Sequence, residues 1–459
     1  MSTSKKSRKN DGNGGEDRIS NLPRSVISNI LSLMSTKDAV RTSVLSKDWE
    51  YNWASIFNID IDDSKLYSKN KADKDTTFVN FVERILLHSQ NIKSFNLTCC
   101  EKYDSNRMTA CISAVLRRNV ESLKVNYPHN GIILPRSLLN CTSLRKLELK
   151  LPCIFKVPVS NCFYSNLTNL YLHRVEFVNE CSNSNQLIFT FPVLEKFELK
   201  SCKLLNVKLV EIYAPRLTKF TSATPFGTVG LSDYLIKIHA ARPFLFLSFC
   251  DLPENCVVIR SQVGHAVLRN YWRKDDLELL KKIGLQVQLF LEGISSSLKN
   301  LVISSDIAKS QLRVPITRFD VLVALAICTS CNVETLLVLL KAAPSLKSLF
   351  IDMNGLDVYD YDGIEFIPSC IVSYLHRVRF YNFTGEKPQL DLAMFLLKNA
   401  IHLKKLYLYS SVSSKPSDVI IDQLLRFPKA SSCLAIIVQG PRMCSMQTLL
   451  KKFNLEIVS

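Results

Sequence analysis

A short apolar pattern recurs along most of this chain and predicts one short strand in each copy. Every copy reads apolar, two residues, apolar, one residue, apolar. The early copies begin 28, 24, 23 and 27 residues apart. The copies are Ile92-Phe95-Leu97, Val120-Leu123-Val125, Leu144-Leu147-Leu149, Leu167-Leu170-Leu172, Leu194-Phe197-Leu199, Leu298-Leu301-Ile303, Leu346-Leu349-Ile351 and Leu403-Leu406-Leu408.

This period is that of leucine-rich repeats, in which a short strand lies on the concave side and a helix or looser segment lies outside. A single repeat cannot bury its apolar face alone, so neighbouring repeats stack. No copy is placed between about Phe220 and Leu298, where two or three degenerate repeats would fit.

Two copies continue as a full repeat does, one with Cys202 and Leu204 and the other with Asn354 and Leu356. The cysteine or asparagine is expected where the chain turns, because a side chain must then satisfy buried backbone groups.

The residues between the leucines are expected to line one surface. For any single residue a solvated charged face is sufficient explanation, but an extended concave sheet is a common protein-binding shape. In the clearest copies these residues are Arg145, Lys146, Glu148, Thr168, Asn169, Tyr171, Glu195, Lys196 and Glu198.

The segment 16–63 has a helical pattern instead. Ser35 and Thr36 are suitable N-cap residues for a second short helix, and Ser46 is one for a third, with Trp49 and Trp53 one turn apart. The first helix has a proline in its first turn and one apolar face, formed by Pro23, Val26, Ile27, Ile30, Leu31 and Met34.

Three short helices cannot bury all these side chains among themselves, so apolar surface should remain for another chain. The alternative is a helical cap that only covers the next domain. The residue order from Leu22-Pro23 through 38–46 to the two tryptophans resembles the F-box of plant F-box proteins. The resemblance implies binding of a Skp-type adaptor, and through it a cullin, by Leu22, Pro23, Val26, Ile30, Leu31, Val40, Leu45, Trp49 and Trp53.

Two residues depart from the F-box pattern. Asp48 stands where the family usually has a basic residue, and Asn52 stands where it has an apolar one. Weaker adaptor binding is therefore expected, while the kept leucine, isoleucine and tryptophan positions argue against complete loss.

The region from about Asp362 to Gln439 resembles the FBD region of many plant F-box proteins. Its order predicts strand, loop, helix, strand, helix, strand. The first of these helices has Leu392, Phe395 and Leu396 on one face and ends near Asn399-Ala400. The resemblance is carried by Ile367-Pro368-Ser369-Cys370, residues 376–380, Gly385-Glu386, residues 395–400, residues 403–406 and residues 427–432. A terminal cap for the repeat array is expected.

Composition predicts a large core and a basic protein. Of 459 residues 47% are hydrophobic, and 58 Lys and Arg against 41 Asp and Glu give a net charge of +17. Such a charge attracts acidic proteins, polyanions or nucleic acid. It is spread along the chain without an aromatic-basic platform or helix-turn-helix signal, so no nucleic-acid partner is expected.

The 15 cysteines predict reduced, mostly buried thiols in the cytosol or nucleus. Their number is odd, the chain is long, and the N-terminus lacks an apolar signal region. Cys328 and Cys331 form a single C-x-x-C without a second pair or nearby histidine. We expect neither a metal site nor a cofactor.

The stretch 321–340 is the best membrane-spanning candidate by length, but polar residues at 329–332 interrupt it. A strand, a turn and a helix capped at Asn332 are predicted instead, with no membrane span. The polar residues 1–15 predict a disordered tail. Their basic cluster reads equally as a nuclear import signal or a solubilising tail, and the nucleus or cytoplasm or both are expected.

The enzyme hypothesis finds no support in the motifs. The sequence has no G-x-S-x-G, no phosphate-binding G-x-x-x-x-G-K-[ST], no H-E-x-x-H and no G-x-G-x-x-G after a strand. Its seven histidines are scattered without ligand spacing. The chain is expected to perform no bond chemistry itself.

The predicted fold is therefore α/β, with a short all-helical N-terminal F-box, an irregular leucine-rich-repeat solenoid and an α/β C-terminal FBD cap. The expected boundaries are 1–15 for the tail, 16–63 for the F-box, 64–361 for the repeats, 362–440 for the FBD region and 441–459 for the C-terminal segment.

The resemblance implies a substrate-recognition subunit of an SCF-type ubiquitin ligase, with the repeats binding a target protein that the sequence does not identify. The alternative is a non-ligase interaction scaffold with a weakened F-box. A bridging small molecule or inositol phosphate stays open, although no residue set points to it.

Overall fold

The chain divides into two units, Met1–Leu138 and Leu139–Ser459. The computed structural model describes residues 19, 22–65, 74–89, 91–138, 141–157, 165–179, 186–205, 207–223, 235–240, 246–249, 255–259, 263–268, 288, 291–304, 318–328, 333–364, 366–411, 416 and 418–441.

The first unit contains a parallel sheet with the strand order β1-β2-β3. Helices connect its successive strands. The strands are β1 (Asn58–Asp62), β2 (Ser94–Thr98) and β3 (Ser122–Asn126). The helices are α1 (Arg24–Ser32), α2 (Thr36–Arg41), α3 (Lys74–His88) and α4 (Ser105–Leu116). Short 3₁₀ turns lie at Thr42–Val44, Lys47–Trp49, Asn52–Ser55, Asp63–Lys65 and Arg136–Leu138.

Helices α3 and α4 provide the crossover connections that parallel strands require. Each carries a buried apolar face, with Phe78 and Val82 on α3 and Met108 and Ile112 on α4. Arg107 of α4 joins the two helices through Glu83 at 2.6 Å.

The prediction that residues 16–63 are all helical is wrong at their C-terminal end, where β1 forms and pairs with β2. Ile56, Ile59 and Ile61 repeat the apolar spacing of the later copies and are buried. The first strand of the sheet therefore lies inside the segment assigned to the helical domain.

The second unit contains most of the strands. Its helices are α5 (Val333–Ala342), α6 (Ser369–Ser373), α7 (Lys387–Asn399) and α8 (Asp418–Arg426). Its strands are β4 (Lys146–Val157), β5 (Asn169–Asn179), β6 (Gln186–Thr190), β7 (Lys196–Lys200), β8 (Lys203–Leu205), β9 (Leu209–Tyr213), β10 (Lys219–Ala223), β11 (Leu235–His239), β12 (Phe246–Phe249), β13 (Asn255–Ile259), β14 (His265–Leu268), β15 (Asn300–Ser304), β16 (Ala324–Cys328), β17 (Ser348–Asp352), β18 (Arg377–Phe383), β19 (Lys405–Ser410) and β20 (Ala435–Gln439).

These strands form a long parallel sheet and a second, short one. The long sheet runs β4-β5-β7-β10-β12-β14-β15-β16-β17-β18-β19-β20, with β8 paired to β5, and the short sheet runs β13-β11-β9-β6. Each strand of the short sheet lies in sequence between two strands of the long one. In this stretch the connection therefore forms a strand of its own rather than the predicted helix or looser segment.

One backbone arrangement recurs at the start of successive strands. The carbonyl of the residue that precedes a strand accepts hydrogen bonds from two N–H groups of the next repeat, at N···O distances of 2.8 to 3.2 Å. One N–H belongs to the residue that precedes the neighbouring strand, and the other belongs to the first residue of that neighbouring strand. The accepting residues are Phe57, Lys93, Arg145, Thr168, Glu195, Gly264, Lys299, Val323, Lys347 and His376. This shared bond fixes the register between neighbouring repeats.

The apolar motif predicted strands correctly in every copy named above. The sequence analysis missed further copies, and degenerate ones account for part of the gap after residue 220, where β12 and β14 lie. The missed copies are Leu217-Phe220-Ser222, Val263-Ala266-Leu268, Leu322-Leu325-Ile327 and Leu375-Val378-Phe380.

The predicted turn residues behave differently from each other. The Cys202 thiol donates to the Leu172 carbonyl at 3.3 Å, as expected. The prediction for Asn354 is wrong, because its side chain is exposed and only its backbone N–H bonds, to the Asp352 carboxylate. The buried Met353 carbonyl is instead satisfied by the Gln389 side chain at 3.1 Å.

The candidate membrane stretch 321–340 forms strand β16 and helix α5, as predicted, and the proposed cap Asn332 lies outside the described residues. In the part of the chain that the structure describes, no helix is long and apolar enough to cross a bilayer.

The element order predicted for residues 362–439 is confirmed, with α6 added before β18. Gly385 precedes α7 with φ +83°, a conformation that favours glycine. The Gln389 side chain accepts hydrogen bonds from the N–H groups of Thr384 and Gly385. The turn motif Gly385-Glu386 thus has a structural reason, since the chain must reverse tightly between β18 and α7.

Buried aromatic rings form the core of the part of the second unit that contains strands of both sheets. Phe197 lies in edge-to-face contact with Phe191 and with Phe220, at 5.6 Å between centroids in each case. All three side chains are at most 1% exposed. Such pairs stabilise beyond the area they bury.

Replacement of Phe197 by Ala is expected to lower the free energy of unfolding by about 3–5 kcal/mol, because it leaves a cavity between two rings. Chemical denaturation followed by circular dichroism measures this. Ile188→Ala, at a side chain that is 37% exposed, is the control and should cost far less. Equal losses for the two variants would contradict the assignment of Phe197 to the core.

Gly385→Ala is expected to lower the free energy of unfolding by about 1–3 kcal/mol. A Cβ at this position would meet Ile420 Cγ2 at 2.8 Å and Cδ1 at 2.9 Å, in addition to the positive φ. Gly440→Ala is the matched control, because its Cβ meets nothing within 4 Å. Thermal unfolding compares the two, and an unchanged melting temperature for Gly385→Ala would show that the turn is not strained.

Candidate protein-interaction surfaces

The N-terminal helices expose apolar side chains that the first unit itself does not cover. Helix α1 buries Ile27 and Leu31, four residues apart, and exposes apolar side chains elsewhere on its surface. The exposed fractions reach 89% at Leu33 and 85% at Val44. We call the set Val26, Ile30, Leu33, Met34, Val44 and Leu45 the N-terminal apolar surface.

The residues that the resemblance assigns to the adaptor divide into three groups. Pro23, Val26, Ile30 and Leu45 are exposed, and Leu22 and Val40 are half-buried. The other three, Leu31, Trp49 and Trp53, are buried within the unit at no more than 5% exposure. Only the exposed and half-buried residues can therefore contact a partner directly. The exposed apolar residues Leu33, Met34 and Val44 were not among the residues predicted to bind the adaptor.

The predicted third helix is wrong. Residues 47–55 form two 3₁₀ turns, and the Ser46 side chain makes no capping hydrogen bond. Trp53 donates its indole N–H to the Glu50 carbonyl at 2.9 Å and packs edge-on against His88. The tryptophan therefore joins the helical segment to the end of α3.

Of the two N-cap residues predicted for the second helix, Ser35 is confirmed, while Thr36 is the first residue of the helix. The Ser35 hydroxyl oxygen accepts a hydrogen bond from the Asp38 N–H at 3.2 Å. The buried Thr36 hydroxyl accepts the Asp60 N–H at 2.8 Å and so fixes α2 to β1. The departing residue Asp48 is exposed and Asn52 is half-buried, so Asp48 is accessible to a partner.

A second surface lies on the long sheet, at the positions that alternate with the buried leucines. Neighbouring strands place Lys146 beside Asn169 and Asn169 beside Lys196, and they do the same for Glu148, Tyr171 and Glu198. All nine residues predicted to line this face are exposed or half-buried. Within the second unit the sequence therefore identified this part of the face correctly.

Opposite charges are paired on this part of the face. The Lys150 ammonium lies 2.9 Å from the Glu148 carboxylate, and the Lys146 ammonium lies 5.9 Å from the centre of the Tyr171 ring. Burial, together with Lys200, lowers the pKa of the His173 imidazole, which favours its neutral form.

Farther along the sheet the same face is buried rather than exposed. The alternating side chains Val302, Ala326 and Phe350 are all at most 3% exposed, so both faces of β15, β16 and β17 are buried. Their sequences read as nearly continuous apolar runs, as is typical of such strands. The prediction that residues between the leucines are exposed thus fails here.

Metal-ligating side chains do not cluster among the described residues. No group of three or more His, Cys, Asp or Glu side chains among them is placed to hold a metal ion. Cys328 lies on β16, and its C-x-x-C partner lies outside the described residues.

The described cysteines are mostly buried, free thiols, as predicted. Burial raises the pKa of the Cys111 and Cys202 thiols to about 11 and that of the Cys153 and Cys370 thiols to about 12. These thiols are protonated near neutral pH and are poor nucleophiles.

Family models match both ends of the chain. The model described as F-box domain matches residues 19–56, and the model described as FBD matches residues 365–408. The first match includes the whole N-terminal apolar surface, and the second spans α6, β18, α7 and most of β19.

Similar proteins come from Arabidopsis thaliana. F-box/FBD/LRR-repeat protein At2g26030 is 27% identical over 92% of this chain and 99% of its own length. F-box/FBD/LRR-repeat protein At3g14710 is 29% identical over 92% of this chain and 95% of its own length. FBD-associated F-box protein At4g10400 is 27% identical over 91% and 98%. The chain therefore carries an F-box domain match near its N-terminus and an FBD match near its C-terminus, and it is similar to plant F-box/FBD/LRR-repeat proteins over about nine-tenths of its length.

Proposed function

We propose that this chain is the substrate-recognition subunit of an SCF-type ubiquitin ligase, in which the F-box binds a Skp-type adaptor and, through it, a cullin. The observation that carries the proposal is the F-box match on residues whose apolar side chains are exposed. Exposed apolar clusters of this kind mark protein-binding sites. The contact residues are Leu22, Pro23, Val26, Ile30, Val40 and Leu45, with Leu33, Met34 and Val44 added.

Leu31, Trp49 and Trp53 take a supporting role in this proposal. Their side chains are buried, and they hold the short helices in place rather than touch the adaptor. Truncating either tryptophan would unfold the segment, so an adaptor-binding loss in such a variant does not report on contact.

The parallel strands form an irregular leucine-rich-repeat solenoid, with the FBD region closing its C-terminal end. One strand of the long sheet per repeat, with the shared carbonyl at the strand starts named above, supports this architecture. The solvated face of β4, β5 and β7 binds the target protein. We place the boundaries of these parts where the sequence predicts them, except that the F-box ends before β1, because that strand pairs with β2. The protein acts in the nucleus, the cytoplasm or both.

The chain acts by proximity and catalyses no bond chemistry. A receptor that holds a target beside a ubiquitin-charged enzyme raises the effective concentration of the target's lysines near the thioester.

A scaffold without ligase activity is the second candidate. Asp48 favours it, because an exposed acidic side chain stands where the F-box family usually has a basic one. In this case the repeats would still bind a protein, but the adaptor would bind weakly or not at all.

Leu45→Asp is expected to weaken adaptor binding by at least about tenfold, because it buries a charge in an apolar contact. Isothermal titration of the purified chain with a Skp-type adaptor measures the affinity. Leu87→Asp is the matched control, at a leucine of α3 that is 76% exposed and outside the apolar surface. Failure of the folded wild type to bind the adaptor would remove the ligase proposal and leave the scaffold.

Asp48→Lys is expected to strengthen adaptor binding severalfold, because it restores the family's charge at an exposed position. Glu101→Lys, also exposed in the first unit, makes the same change in net charge elsewhere. An equal gain in both variants would assign the effect to overall charge. An unchanged affinity for Asp48→Lys would remove the reason to regard this F-box as weakened.

A further inference from the structure

An arginine is held between two aromatic rings on the alternating face of the C-terminal strands. The strand register places Phe350, Arg379 and Tyr407 side by side on β17, β18 and β19. The guanidinium carbon of Arg379 lies 4.9 Å from the centroid of each ring. Cation–π contacts on both sides fix the plane of the guanidinium before any ligand arrives.

The guanidinium has donors left for a ligand. Its Nε is enclosed and has no hydrogen-bond partner among the described residues. Arg379 as a whole is only half-buried, so the accessible part of the group is its outer Nη edge. An ordered guanidinium with an open edge is the geometry that binds a carboxylate through two parallel hydrogen bonds.

Two more cations lie one step along the same face. The register places Arg377 beside Lys405, two residues before Arg379 and Tyr407, and both side chains are exposed. We call Arg377, Arg379 and Lys405 the cationic patch. None of the three forms an ion pair with another described residue, in contrast to the paired charges on β4.

The acidic residue nearest in register does not neutralise the patch. Asp352 is the one acid in the strands β17 to β20 and is 5% exposed. Its carboxylate accepts hydrogen bonds from the Asn382 side chain at 2.9 Å and the Asn354 N–H at 3.1 Å. The patch therefore presents positive charge beside aromatic rings, and no described acid forms an ion pair with it.

We propose that the cationic patch binds an acidic segment of a target protein, with one glutamate or aspartate carboxylate held by Arg379 and neighbouring carboxylates near Arg377 and Lys405. The inference rests on the proposed function, since it extends target binding from β4, β5 and β7 to the C-terminal strands of the same sheet and names the chemical class that is recognised there. It also gives the FBD a role in recognition, because Arg377, Arg379 and Lys405 all lie within residues 365–408.

The donors that the patch offers to a ligand are side chains, because the backbone N–H groups of these strands are used in sheet pairing. A guanidinium edge offers two parallel donors, which matches the two oxygens of a carboxylate.

The test is fluorescence anisotropy with the purified full chain and a short labelled peptide of alternating glutamate and serine. Arg379→Gln is expected to weaken binding by at least about tenfold, and Arg379→Lys by a similar factor, because lysine keeps the charge but lacks the paired donors. Tyr407→Leu should weaken binding with the charge unchanged. Arg216→Gln, at an exposed arginine before β10, is the control and should bind as the wild type does.

Two further peptides complete the design, one with glutamine in place of glutamate and one with phosphoserine among glutamines. Selective binding of the glutamate peptide that depends on Arg379 supports the proposal. It is overturned if the wild type fails to bind the glutamate peptide or binds the glutamine peptide equally well. Binding of the phosphoserine peptide alone overturns it too, as does self-association of the chain that Arg379→Gln abolishes.

Adaptor affinity and thermal unfolding, measured on the same variants, separate this proposal from the ligase role. Arg379→Gln should leave the adaptor affinity unchanged and the chain cooperatively folded while it loses the peptide. If adaptor binding fails in the wild type but the peptide still depends on Arg379, the ligase role is lost and the acidic-ligand site stands.

Discussion

The fold depends on one backbone arrangement, the carbonyl at the start of a strand that accepts two N–H groups from the next repeat. A buried peptide group without a partner is costly, so each repeat needs the next one at a fixed register. Side chains of very different character precede the strands, from Gly264 to His376. The bond is therefore a property of the backbone, and the sequence around it is free to vary.

This freedom explains the irregular repeats. The core needs apolar side chains at two alternating positions of each strand, which Leu, Ile, Val, Phe and Ala all supply. The connection between strands is less constrained. It forms helices α5 and α7 in one part of the second unit and the strands of the short sheet in another.

The FBD does not form a separate sheet in the second unit. Its strands β18 and β19 pair in register with β17 and continue the long sheet. Gly385 and Gln389 make the tight turn into α7, and Gln389 also reaches the carbonyl of Met353. The residues that mark the family in this region are thus partly turn chemistry, while Arg379 has no such structural explanation beyond its two rings.

The sequence by itself determined the strands at every named motif copy, the helical N-terminal segment with its Ser35 cap, and the burial of most described cysteines. These features follow from local spacing and side-chain type, which a single chain displays directly. Only the tertiary structure decided that Leu31, Trp49 and Trp53 face inward while Leu33 and Val44 face outward. Apolar periodicity identifies an apolar residue but not the partner that covers it. The position of Arg379 between two rings likewise results from the register of neighbouring strands, whose aligned residues are about 30 positions apart in sequence. A local sequence pattern carries no information about such neighbours.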